Sequence, residues 1–186
     1  YAYRVIAVGS TGLTSAPSAV TTGMKLRPTI RINAGGPAVT TGGVTWAADT
    51  GFAGGKVYTN PQVTAIAGTT DDVLYRTERS ATTNLGPFGY NIALAPGTYT
   101  VRLHFAEIYH GATGGGAGGT GKRVFSVNLE GGTTEIAGLD LNAVVAPMTA
   151  HVRSNTLTVT DGNLDIDFSS TVDQAKVSAI EIVHVR

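Results

Sequence analysis

Strict alternation of apolar and polar residues is the feature that most constrains this chain. In TYTVRLHFAEI, residues 98–108, Tyr99, Val101, Leu103 and Phe105 fall on one side, and Thr100, Arg102 and His104 on the other. A period of two belongs to a strand with one face on a core, whereas a helix repeats every ~3.6 residues. KRVFSVNLEG (122–131), HVRSNTLTVTDGNLDIDFSS (151–170) and KVSAIEIVHVR (176–186) alternate in the same way. Turn-forming triplets separate them: APG at 95–97, EGG at 130–132 and DGN at 161–163. Helical periodicity is scarce, apart from a short capping helix expected near 138–145. The pattern predicts an all-β chain folded as a jelly-roll-type β-sandwich with long loops.

Charge and residue types exclude several functions. The 186 residues carry no net charge and only 14% are charged, so no basic stripe announces a nucleic-acid partner. No apolar run approaches the ~18–20 residues of a membrane span, and no membrane insertion is expected. The chain has no cysteine and no Gly-x-Ser-x-Gly elbow, and His104, His110, His151 and His184 do not fall at a metal-ligand spacing. Asp165 and Asp167 share a strand face, but Leu164, Ile166 and Phe168 alternate with them as in a solvated strand. GGGAGG (114–119) lacks the Gly-Lys-Ser/Thr ending of a phosphate loop. No enzymatic activity is expected of this chain, and no cofactor. Calcium oxygens are available at Asp71 and Asp72, or at Asp161, Asn163 and Asp165, though far from a full calcium-loop motif. Abundant Thr, Gly, Ala and Val with few Lys and Glu suit an extracellular or cell-surface protein.

Two segments stand apart. YAYRVIAVGSTGLTSAPSAVTT (1–22) resembles the last two strands of a fibronectin type III domain, with Tyr1 as its corner tyrosine. The resemblance implies a C-terminal domain remnant over residues 1–23, a short two-strand segment, then a linker at 24–29. The second is FAEIYHGATGGGAGGTGKRVF (105–125), where Tyr109 and His110 sit at the lip of a glycine-rich loop longer than a hairpin requires. Glycine loses the most freedom on ordering, so residues 111–121 are expected to be mobile.

From residue 30 to 186 the chain resembles a malectin-type carbohydrate-binding domain. The motifs that carry this, in order, are RINAGGP (31–37), WAADTGF (46–52), DDVLYRTER (71–79), FGYNIAL (88–94), YTVRLHFAEIYH (99–110), KRVFSVNLEG (122–131) and DQAKVSAIEI (173–182). The resemblance implies a jelly-roll sandwich that binds an oligo- or polysaccharide without catalysis; the best-known member takes glucose-rich glycan ends. Position by position, it implies that Tyr58, Tyr75, Tyr109, His110 and Asp173 hold the sugar. Aromatic faces would stack on C–H surfaces and Asp173 would accept hydroxyl hydrogen bonds. Malectin has phenylalanine where this chain has His110. Trp46 reads as structural, and Arg76, Glu78 and Arg79 as a salt-bridged strand face. The resulting expectation is a carbohydrate-binding module of a larger secreted or cell-surface protein, binding glucose-containing or related glycans and flanked by neighbouring domains of the same polypeptide. The alternative is a structural or adhesive spacer with no working sugar site.

Overall fold

The computed structural model describes residues 2–19, 21–22 and 27–185. The corner tyrosine expected at Tyr1 and residues 24–26 of the expected linker lie outside the described residues. In chain order the strands are β1 (Ala2–Tyr3), β2 (Thr21–Thr22), β3 (Ile30–Asn33), β4 (Val39–Thr41), β5 (Val44–Ala48), β6 (Phe52–Ala53), β7 (Lys56–Thr59) and β8 (Thr77–Ser80). They continue as β9 (Phe88–Ala93), β10 (Gly97–Phe105), β11 (Val124–Leu129), β12 (Thr134–Leu139), β13 (His151–Val159), β14 (Asn163–Val172), β15 (Lys176–Val177) and β16 (Ala179–His184). A 3-10 turn spans Asp72–Tyr75, and one short helix, α1, spans Leu141–Val144 where a cap was expected. Asp140 caps it, its carboxylate accepting from the Asn142 N–H at 3.1 Å.

The fold is an all-β sandwich. Among the described residues one sheet has the order β13-β10-β16-β3-β5-β4 and the other β12-β11-β14-β9-β6. All pairings are antiparallel except β3 with β5. The alternation in β10 sets its phase: Tyr99, Val101, Leu103 and Phe105 are 3%, 1%, 1% and 0% exposed. Leu164, Ile166 and Phe168 of β14 are equally buried, as the pattern predicts. Both sets belong to one core between the sheets, where the Phe105 and Phe125 rings lie 5.5 Å apart and Phe88 stacks on Phe168 at 4.4 Å.

A smaller sheet, β15-β8-β7, positions the site. It is held against the main body through Gly35, which has φ 71° and lies so close to the Glu78 carbonyl that a Cβ has no room. A second apolar cluster contains Trp46, Val63, Ile66, Leu74, Tyr75, Ile108 and Ala179. His104, on the face of β10 opposite Phe105, meets it through Trp46 at 5.3 Å between ring centroids. Trp46 is 6% exposed and structural, as expected. The N-terminal strands β1 and β2 pair with each other.

Candidate functional site

Strand alternation aims the side chains of β7 and β8. Lys56 and Tyr58 of β7 are directly opposite Ser80 and Glu78 of β8, and Lys176 of β15 is opposite Ser80 on the other side. These residues share one face. The other face carries Arg79, which bonds Asp49 at 2.7 Å and lies 3.3 Å over the Phe52 ring. Arg76 pairs with Asp72. The three charges of YRTER therefore do not form one salt-bridged face: Glu78 and Arg79 point oppositely because they are adjacent in a strand.

The Glu78 face opens into a cavity of about 600 Å³, whose lining includes Tyr58, Tyr109, His110 and Asp173. Four of the five residues singled out from sequence thus converge from distant parts of the chain. Tyr109 is 41% exposed, with the Tyr58 ring 6.0 Å away edge-on and His110 at 4.9 Å. His110 Nε2 lies 2.8 Å from Asp173 Oδ2. Asp173 adopts φ 56°, a left-handed conformation that aspartate tolerates better than most residues. Its carbonyl accepts from the Leu85 N–H and the Ser170 hydroxyl, which fixes that turn.

Tyr75 is not in this cavity. It is 3% exposed, packed in the Trp46 cluster, and its hydroxyl shares a 2.8 Å hydrogen bond with His104 Nδ1. The 3-10 turn drives Leu74 and Tyr75 inward together. Burial, with the Asp71 charge adding to it, pushes the Tyr75 phenol up to about 12. Burial also holds the His104 imidazole down at about 4, well below the usual histidine range.

Beneath the cavity lies a buried ion cluster that the alternation did not reveal. Lys176 is 0% exposed, 2.5 Å from Glu78 Oε2 and 3.5 Å from Glu107 Oε1. Arg123 donates to Glu107 Oε2 at 2.8 Å and to the Gln174 carbonyl at 2.5 Å, and lies 3.3 Å from Asp173. Glu107 Oε1 also accepts the Tyr109 and His110 N–H groups at 2.9 and 3.0 Å, fixing the backbone of the aromatic pair. Burial by itself would raise the Glu107 carboxyl, but Lys176, Arg123 and these hydrogen bonds outweigh it and hold it at about 2. For Glu78 the balance reverses: burial dominates the pull of Lys176 and Arg123, and its carboxyl is raised. One signal was legible in sequence, the single acid of FAEIYH inside an apolar run. Lys176, between Ala175 and Val177, reads as an ordinary alternating polar residue and gave none.

Residues 111–116 of the glycine loop pack locally and against Tyr109. Asn60 Nδ2 donates to the Ile108 and Thr113 carbonyls at 2.8 and 2.9 Å, and the Gly111 N–H bonds the Gly116 carbonyl. A Cβ on Gly115 would overlap the Tyr109 carbonyl oxygen, and one on Gly116 would lie 2.9 Å from the Tyr109 ring. The glycines let the loop fold against Tyr109 and support the ring.

No group of three or more His, Asp and Glu side chains suited to a metal occurs among the described residues. Asp71 instead accepts from Thr41 at 2.8 Å, and Asp165 from Asn91 at 2.6 Å. No helix among the described residues is long and apolar enough to cross a membrane.

The Malectin domain family model matches residues 29–181. The chain belongs to the malectin domain family. Its fold is shared with a β-glucuronidase of Bacteroides uniformis, 21% identical over 86% of this chain and 18% of that one, with a TM-score of 0.72. The extracellular domain of ANXUR1 from Arabidopsis thaliana aligns at a TM-score of 0.70 and 17% identity, covering 84% of this chain and 48% of that one. FER, a plant receptor-like kinase also seen in complex with the peptide RALF23 and LLG2, aligns at 0.69 and 20% identity, covering 84% of this chain and 48% of that one. This malectin domain therefore spans less than half the length of those proteins. No curated protein sequence matches it significantly.

Proposed function

We propose that this malectin domain is a non-catalytic carbohydrate-binding module of a larger secreted or cell-surface protein. The observation that carries the reading is the convergence of Tyr58, Tyr109, His110 and Asp173 on one cavity large enough for one or two sugar rings. The exposed Tyr109 ring offers a face for sugar C–H surface, with Tyr58 edge-on beside it. Asp173 offers carboxylate oxygens to hydroxyls, and His110 a ring nitrogen. Tyr75 acts behind the site, through His104 and the Trp46 cluster, rather than on the ligand. The secreted or surface setting is supported by the extracellular receptor domain that shares the fold. Residues 1–23 are read as the end of a fibronectin type III-like neighbour within the same polypeptide, and residues 30–186 as the binding domain.

A glycan array probed with the 186-residue chain tests the reading, with Asp173→Asn as the control. Asparagine tolerates the left-handed backbone but removes the charge. Binding should fall at least about tenfold, since hydrogen bonds to a charged group contribute roughly 1.5–3 kcal/mol. An array without hits would favour the structural or adhesive spacer, whereas a variant that binds undiminished would leave the carbohydrate function standing and remove Asp173 from the site.

A further inference from the structure

Two cations at the cavity mouth have no counterpart in the chain. Lys56 and Lys122 both line the cavity and are exposed, and among the described residues neither is ion-paired. They are far apart in sequence, one on β7 and one at the end of the glycine loop, and the fold brings both to one opening. On the wall beneath Lys56 stands Ser80, directly opposite it across β7 and β8. Ser80 is 2% exposed, lines the cavity, and its Oγ has no hydrogen-bond partner among the described residues. On its other side Ser80 is opposite Lys176. Lys56 and Ser80 thus place an ammonium and a hydroxyl side by side on one face, about 5 Å apart at Cβ, while Lys176 on the far side of Ser80 is buried and paired with Glu78.

The floor is different. There Glu78, Glu107 and Asp173 are already opposed by Lys176 and Arg123, and Asp173 is also hydrogen-bonded to His110. An anionic group sunk to the floor would meet Glu78 and Asp173 at close range. At the mouth it would meet Lys56 and Lys122, with the Ser80 hydroxyl below as donor. A neutral sugar can accept hydrogen bonds from the two ammonium groups but leaves their charges unmatched.

Resting on the carbohydrate-binding reading, we propose that this cavity selects glycans bearing an anionic group, a uronate carboxylate or a sulfate ester, seated between Lys56 and Lys122 at its mouth. Hydroxyls of the same ring point down to Asp173 and Glu78, and its apolar face lies on Tyr109. The anion fixes the orientation of the ring in the site, which hydroxyl contacts alone leave degenerate.

The test is an array of neutral, uronate-bearing and sulfated oligosaccharides matched in backbone, followed by titration of the best binder against its neutral counterpart at about 50 and about 500 mM NaCl. The anionic glycan should bind about tenfold more tightly at low salt, and the preference should shrink at high salt as exposed charges are screened. Lys56→Gln with Lys122→Gln should bring the ratio close to one. Both side chains are exposed, and an unchanged thermal melt verifies the fold. The uronate and sulfate arms identify which anion is read. Equal or tighter binding of neutral glycans overturns the anionic subsite and leaves the carbohydrate function standing. A preference that survives in the double variant overturns its assignment to these lysines. No binding to any glycan overturns both.

Discussion

His104 shows how one side chain can couple stability to pH without touching a ligand. It lies between Tyr75 and Trp46, and burial keeps its imidazole neutral down to about pH 4. In the unfolded chain the same group takes its proton near pH ~6.5. Between those values the unfolded state binds more protons than the folded one, so stability is lost as pH falls through that window. The loss should total roughly 3 kcal/mol, and urea unfolding at a series of pH values between neutral and about 4 measures it. His104→Gln should flatten the slope. A further decline below the usual carboxylate range is expected from Glu107, whose folded-state carboxyl stays ionised to about 2. The contrast between His104 and His110 also shows what residue-level reading of the sequence achieves. His104 stands on β10 and is locked behind the sheet, whereas His110 stands in the turn after that strand and is hydrogen-bonded to Asp173 at the cavity. Strand phase separates inward from outward faces. It does not say which outward face a second cluster will cover, and Tyr75, which the resemblance assigns to the ligand, lies on a 3-10 turn and packs in that cluster beside His104, outside the cavity.

At the level of elements, the sheets were legible and the loops were not. β10 and β14 bury the residues that alternation assigns, because a two-residue period has only two possible phases and one of them would expose Phe105 and Phe168. The segment 111–121 carries no such period, and composition does not reveal the close approach that Gly115 and Gly116 make to Tyr109. That packing distinguishes two neighbouring positions of equal composition. Gly115→Ala would force a methyl into the Tyr109 carbonyl oxygen and must displace backbone, whereas at Gly116 the obstacle is the end of a side chain that can swing aside. Gly115→Ala should therefore lower stability by roughly 1–3 kcal/mol. Gly116→Ala should leave the melting temperature nearly unchanged while shifting the Tyr109 ring, and with it glycan affinity. Equal melting temperatures for the two variants would mean that the loop does not pack on Tyr109 as described.

In the molecule as a whole, the N-terminal segment and the sandwich are held by different interactions. The hydrogen bonds from Val5, Ala7, Gly9, Gly12, Ser15 and Ser18 all stay within the segment, and Val5, Ile6, Val8 and Leu13 are 72%, 49%, 69% and 77% exposed. A pair of two-residue strands contributes little by itself. Removing residues 1–22 should leave the cooperative unfolding transition of the sandwich in place, as scanning calorimetry would record; its disappearance would make the segment an integral part of the fold. Arg27, by contrast, reaches the Ala95 and Pro96 carbonyls and the Tyr99 hydroxyl, tying the chain just after that segment to the turn before β10. The cluster of Glu78, Glu107, Arg123, Asp173 and Lys176 does the corresponding work at the other end of the structure. Each of these residues is set by at least one of the others, and together they hold the backbone of the aromatic pair, the turn at Asp173 and the wall of β8 in one arrangement. A visiting molecule consequently meets a recess already in its final shape. If a glycan binds as proposed, its association should show a single concentration-dependent phase in stopped-flow measurements, with differences in affinity carried by the rate of release.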